Sequence, residues 1–386
     1  MHAWAFVDPE LVIAQARALD AATVRGPLHG IPLGIKDVID THDMPTQMGS
    51  PIYAGYRPPA DAACVALTRA AGALIIGKTV TAEFAGIAPG PTTNPHDAAH
   101  TPGGSSSGSA AAVADGMIPV ALGTQTGGSI HRPASYCGII GFKPTRSTIN
   151  RAGVKPAAEF LDTIGILARD LADVDLFFAV LTNGTKRRAP VARAPKRIGL
   201  CRTPLWSRAQ PETVAAVETY ADVLRTAGVI VDDVILPPVF DGLNAARATI
   251  NDYQRAHGMR YEWQTRPDAI SEQLSATIRR GLAIPLEELT AAVKLAESCR
   301  AALSEAFDGN DLLLAPCVDG EAPRGLASTG EHHFQSIWTT VDVPTLSLPA
   351  HRGPNGLPVS VQLVARPLDD IVLLTHARWL VDICLL

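Results

Sequence analysis

The sequence predicts an α/β protein, a single-domain α/β/α sandwich around a large mixed sheet. Along most of the chain, short apolar runs of strand length alternate with alanine-rich segments of helical spacing, the order that packs helices against a sheet. Apolar residues make up 47% of the 386 residues and charged residues 18%, a composition with ample chain to bury a core. No internal repeat is visible, and the proline-containing Lys186–Lys196 is the only stretch that reads as a surface linker, so the whole of 1–386 is expected to be one domain.

In chain order, Leu11–Val24 is alanine-rich with helical spacing and is ended by Pro27–Pro32. Ile31–Val38 reads as a strand, Ala60–Ala71 as a helix and Ala73–Ile76 as a strand. Ser109–Asp115 reads as a short helix, Ile118–Leu122 as a buried strand and Gly138–Phe142 as an apolar strand. Leu171–Leu181 is a helix and Arg197–Cys201 a strand. Pro211–Ala227 is a long helix with proline in its first turn and Gly228 after its end. Val229–Leu236 is a strand, and three helices follow at Asp241–Trp263, Ala269–Arg280 and Leu286–Phe307. Strands at Asp311–Ala315, Pro344–Pro349 and Pro358–Ala365 precede a closing helix at Asp369–Ile383.

Charge and cysteine usage exclude several classes. A net charge of −5 with no stripe of Lys or Arg leaves no footprint for nucleic acid, and Lys186–Arg188 reads as a solvated loop. The six cysteines are scattered singly, without CxxC or Cys/His spacing, which argues against zinc and against a disulfide framework. Neither a metal nor a cofactor is expected. Met1–Glu10 lacks a basic segment followed by an apolar one, and no apolar run reaches membrane-spanning length, so the expected setting is cytoplasmic, with no membrane partner.

The organising stretch is His100–Thr145. It holds two serine-bearing glycine clusters, Gly103-Gly104-Ser105 and Gly127-Gly128-Ser129, separated by an alanine-rich apolar segment. Glycine has no Cβ, so each pair allows a sharp turn and a close backbone approach that presents the following serine. Gly/Ser-rich stretches are commonly flexible linkers, but linkers are not interrupted by AAAVA and IPVAL nor ended by GIIGF. The segment reads as core with two turns that bring two hydroxyls to one site.

Two lysines have rival readings. Lys36 sits among Leu33, Ile35 and Val38; it either pairs with Asp37 or Asp40, or it is buried without a full counter-charge and serves as a base near neutral pH. Lys78 belongs to GALIIGKT, Gly72–Thr79, which satisfies the phosphate-loop pattern literally. A phosphate loop needs flexible chain between its glycines, whereas Ala-Leu-Ile-Ile reads as strand. Serine must lose its proton to a positioned base as it attacks. The eleven histidines permit a Ser-His pair on count alone, yet the nucleophile-elbow pattern G-x-S-x-G is absent at Ser129, where the chain reads G-G-S-I-H.

GGSSSG followed by GTQTGGSIHRPASYCGIIGFKPT resembles the signature of the amidase signature family of serine hydrolases, and GIPLGIKDVID, Gly30–Asp40, resembles that family's lysine segment. The similarity runs through AGALIIGKTVTAEFA to GLPVSVQLVA near the C-terminus. It implies Ser129 as nucleophile, Ser105 as bridging serine after a cis Gly104–Ser105 peptide, and Lys36 as base. It also implies an oxyanion hole from the backbone N–H groups of Gln125, Thr126, Gly127 and Gly128. Ser107 is expected either to support the relay or to cap a helix. Members of that family usually carry a further helical segment before Leu11–Val24, so either the true start lies upstream of the opening HAWAFVD or one or two helices are expected to be lacking.

The slots after the nucleophile suggest the substrate. They hold His131 and Arg132, and the malonamidase-like subset has arginine at this third position, where it binds the substrate carboxylate. A guanidinium holds a carboxylate bidentately; the alternative for Arg132 is a salt bridge anchoring the turn. His131 has no assigned role. The expected activity is therefore hydrolysis of a small carboxylate-bearing amide, malonamate-like, with a homodimer left open. Other readings are a general or urea-derived-acid amidase, and an amidotransferase-type subunit that needs a partner chain. The remaining pocket wall is expected around Pro316, Cys317, Ser328 or Thr329.

Overall fold

The structure, a computed structural model, describes residues 1–182 and 191–384. Residues 186–190 of the expected linker lie outside the described residues, and 191–196 carry no regular structure until the next strand begins.

The N-terminal half gives β1 (Trp4–Val7), α1 (Pro9–Asp20), β2 (Pro32–Lys36), α2 (Ala63–Ala70), β3 (Leu74–Thr79), α3 (Ser107–Ala114) and β4 (Val120–Gln125). It continues with α4 (His131–Cys137), β5 (Ile140–Lys143), β6 (Thr163–Ala168) and α5 (Leu171–Leu181). The C-terminal half gives β7 (Arg197–Leu200), α6 (Pro211–Thr226), β8 (Ile230–Asp233), α7 (Leu243–Gly258), α8 (Arg260–Thr265), α9 (Glu272–Ala283) and α10 (Leu286–Ala306). It ends with β9 (Leu312–Pro316), α11 (His333–Thr340), β10 (Thr345–Arg352), β11 (Pro358–Val364) and α12 (Asp370–Cys384). Helix starts follow local chemistry. Asp8 accepts from the Glu10 and Leu11 N–H groups ahead of Pro9, and Asp170 and Ser271 cap α5 and α9 in the same way.

The strands form one 11-stranded sheet in the order β1-β3-β2-β4-β6-β5-β10-β11-β9-β7-β8. It is mixed as expected: β3, β2 and β4 run parallel, as do β9, β7 and β8, while the strands between them pair antiparallel. Successive strand residues point to opposite faces, and both faces are covered. Leu122, Ile166, Leu312 and Leu314 join one apolar cluster, whereas their neighbours Ala121 and Leu167, and Leu313 and Ala315, join clusters on the other side. Sheets buried on both faces read as continuous apolar runs, which is why β4 and β9 were visible in the sequence.

Four elements depart from the expectation: strands β1 and β6 and helices α4 and α11 were not foreseen. Helix α4 has seven residues, all buried, and α11 eight, buried from Phe334 onward; about two turns is too short a stretch for a helical period to stand out in a sequence. The single helix expected at Asp241–Trp263 is two, α7 and α8, divided at Met259 just after Gly258. No helix among the described residues is long and apolar enough to cross a membrane.

Lys78 resolves the phosphate-loop pattern. Gly77, Lys78 and Thr79 are strand residues of β3, not loop. The Lys78 ammonium is fully buried 3.1 Å from the Asp37 carboxylate and 2.6 Å from Thr46 Oγ1. Removing one member of a buried pair leaves the other uncompensated, so Lys78→Met is expected to destabilise the fold by about 3–5 kcal/mol. A lowered midpoint in urea unfolding checks this.

Candidate active site

Lys36 ends β2 and Thr124 lies near the end of β4, its parallel neighbour, so the site forms at the carboxyl ends of adjacent strands, where open α/β sheets place their ligands. The Lys36 amine lies 2.7 Å from Ser105 Oγ and 2.7 Å from Thr124 Oγ1, and all of the lysine is buried. Burial drives its pKa well below the ordinary lysine value; Asp162 opposes the shift, and Arg255 and Arg132 reinforce it. A neutral amine can accept the Ser105 hydroxyl proton while it donates to Thr124. The ion pair with Asp37 that Lys36 offered on sequence grounds belongs to Lys78 instead.

Gly103 has φ +77° and the Gly104–Ser105 peptide is cis, so the first cluster is a sharp turn delivering Ser105 into the core. The second cluster is braced by side chains. Gln125 Oε1 accepts from the Ile130 and His131 N–H groups at 2.8 and 3.2 Å, and its Nε2 donates to Thr339 Oγ1 at 2.9 Å. Thr126 Oγ1 donates to Asp162 at 2.6 Å. Among the described residues nothing accepts from the N–H groups of Thr126, Gly127, Gly128 or Ser129. A Cβ on Gly128 would lie 2.8 Å from both Gln335 Oε1 and His332 Cβ, so only glycine fits the turn as built.

Arg132 is not held by a salt bridge. Its Nε and Nη2 donate to the Gly104 carbonyl at 3.0 and 2.6 Å, and its Nη1 donates to the Gly330 carbonyl at 2.5 Å. It therefore ties the second turn to the carbonyl preceding Ser105 and to the loop at Gly330, while also lining the cavity beside Ser129. Three of its five N–H donors thus serve backbone carbonyls, so the anchoring part expected of Arg132 falls on carbonyls and not on a carboxylate of the protein.

Ser107 is revised too. Its hydroxyl donates to the Val80 carbonyl at 3.3 Å, and the residue at the cap position is Ser106, so Ser107 neither joins the lysine cluster nor caps α3. Thr124, which the sequence did not single out, takes the supporting place at Lys36. His131 acquires a role: its ring nitrogens lie 2.6 Å from Thr345 Oγ1 and 3.2 Å from Ser347 Oγ, pinning α4 to β10. Burial, with Lys143 nearby, pushes its pKa down to about 3, so the imidazole stays neutral.

Ser129 opens onto a cavity of about 310 Å³. Its walls come from residues 85–87, from α7 and α9, and from Arg132 and His332. Pro316, Cys317, Ser328 and Thr329, the expected wall, do not line it. Ser328 and Thr329 belong instead to the loop that Arg132 secures, with Ser328 Oγ accepting from the Gly330 N–H at 3.0 Å and Thr329 packed on Gly104. Four arginines line the cavity, Arg132, Arg247, Arg255 and Arg280, against one carboxylate, Asp252, which pairs with Arg280 at 2.9 Å.

The chain is similar to known proteins along nearly its whole length. The family model described as Amidase matches residues 1–374. One component of the glutamyl-tRNA(Gln) amidotransferase of Chloroflexus aggregans is 35% identical over 428 aligned residues, covering 97% of this chain and 87% of that protein. A crystallised amidase superposes with a TM-score of 0.89 at 30% identity, covering 99% of this chain and 92% of its own. The peptide amidase of Stenotrophomonas maltophilia gives 0.83 at 29% identity, with 99% and 89% covered. The chain belongs to the amidase family and is an enzyme of amide hydrolysis.

Proposed function

We propose that this enzyme hydrolyses a small amide bearing a carboxylate near the scissile bond, malonamate-like, to the acid and ammonia through an acyl-enzyme. The cavity beside Ser129 supports the reading: among the described residues no carboxylate lies within 4.0 Å of Arg132, Arg247 or Arg255. Buried or half-buried cations that no carboxylate touches directly suit an anionic ligand.

Catalysis begins with neutral Lys36. Ser129 Oγ attacks the amide carbon and gives its proton to Ser105 Oγ, whose own proton passes to the Lys36 amine. Negative charge on the carbonyl oxygen is met by the free N–H groups of the Thr126–Gly128 turn, donors that need no reorganisation. Ser105 then returns a proton to the departing nitrogen, ammonia leaves, and Ser129 holds the acyl group. Water repeats the sequence and frees the acid. Arg132 keeps Ser105 in place through the Gly104 carbonyl.

Ammonia release by the purified chain tests the proposal, with malonamate, the urea-derived acids allophanate and carboxybiuret, and propionamide as substrates. At least one acid amide is expected to exceed propionamide in kcat/KM by about tenfold or more, the worth of a charge-assisted hydrogen bond. Equal rates would make the chain a general amidase. A second reading rests on the 35% identity to an amidotransferase component: a chain silent on every amide until its partner chains are supplied would belong to an amidotransferase-type complex.

A further inference from the structure

Resting on the acid-amide reading, we propose that Arg247, on α7, is the residue that takes the substrate's carboxylate and sets specificity for acid amides. Each of the other arginines of the cavity has a partner in the protein: Arg132 donates to the Gly104 and Gly330 carbonyls, Arg255 Nη1 donates to the Phe84 carbonyl at 2.9 Å, and Arg280 is paired with Asp252 at the rim. Arg247 makes no hydrogen bond or ion pair with any described residue. Its nitrogens are not sealed in the protein either, so they are open to the cavity.

Its position fits a short acyl group. A Cβ on Gly127 would lie 3.1 Å from Arg247 Nη1, so the guanidinium rests on the backbone just before Ser129. Gly127 and Ser129 are two Cα steps apart, at most about 7.6 Å, and Arg247 and Ser129 line the same cavity. The His332 ring packs on the same glycine, 3.4 Å from that Cβ position. Burial, with Arg247 and Arg132 alongside, keeps this imidazole neutral, so it adds no competing charge and helps exclude water around the cation. Burial lowers the Arg247 pKa to about 10, which still leaves it charged at neutral pH. A planar fork with free donors is the group that holds a carboxylate bidentately.

Two measurements test this on the full chain: calorimetric binding of malonate, and the ratio of kcat/KM for malonamate over propionamide. Both are made on wild type, Arg247→Ala and Arg247→Lys, with circular dichroism confirming the fold. Arg247→Ala is expected to weaken malonate binding by about 10- to 100-fold and to lower the malonamate-to-propionamide ratio by a similar factor, mainly through KM. Arg247→Lys, which keeps the charge and loses the fork, is expected to recover part of both. Malonate binding that is absent in wild type, or equal in wild type and Arg247→Ala, overturns the inference. If malonate binding depends on Arg247 while wild type does not prefer malonamate, the acid-amide reading fails and the anion site stands. If wild type prefers malonamate and Arg247→Ala keeps that preference, the reading stands and the assignment of Arg247 fails. Should Arg247→Ala not fold, the lysine variant decides: binding and preference both unchanged from wild type would equally reject a bidentate anchor.

Discussion

Ser129→Ala is expected to abolish ammonia release, and Lys36→Ala and Ser105→Ala each to lower kcat by about 10³-fold or more, because groups that act as one unit each cost nearly as much as the whole. Lys36 and Ser105 touch at 2.7 Å, so Lys36→Ala/Ser105→Ala is expected to be little worse than either single variant. The pH profile carries the sign. Lys36 is a base whose pKa burial has lowered, so kcat/KM is expected to fall as pH drops through that lowered value and Lys36 gains its proton, and to level off above it. The acid limb should disappear in the residual activity of Lys36→Ala. Steady-state rates on one amide between pH 5 and 10 check all of this, and near-normal turnover by Lys36→Ala would remove lysine from the relay.

Arg132→Ala is expected to lower kcat by about 10- to 100-fold on acid and neutral amides alike. Its guanidinium gives two hydrogen bonds to the Gly104 carbonyl, and losing a charged hydrogen bond costs about 1.5–3 kcal/mol. The loss falls on the placement of Ser105, which every substrate needs, rather than on substrate charge. Lysine at the position is expected to restore only part, since one ammonium cannot span the Gly104 and Gly330 carbonyls as the fork does. Measuring kcat/KM for malonamate and propionamide on both variants checks the point; a loss confined to malonamate would return the carboxylate to Arg132.

The two serine turns and the burial of Lys36 were legible because their signals are local. Paired glycines before Ser105 and Ser129 advertise turns, apolar neighbours of Lys36 advertise burial, and the segments around all three carry the family resemblance. Helices with one wet face and buried strands such as β4 and β9 were legible for the same reason, since their patterns are written in consecutive residues; the equally buried β6 was not. Helices α4 and α11 were not, because at seven and eight residues each is too short for a helical period to stand out.

By itself the sequence determined the α/β class, the two serine turns and the burial of Lys36. Tertiary structure alone decided which partner each charged group meets. Lys78, not Lys36, received Asp37; Thr124, not Ser107, received Lys36; Arg132 was spent on backbone carbonyls; and Arg247, distant in the chain, arrived at the nucleophile's cavity unpaired. The physical reason is range. Backbone propensity and burial patterns act over a few neighbouring residues, whereas hydrogen bonds and ion pairs depend on separations of about 3 Å between atoms that only the packing of distant segments brings together.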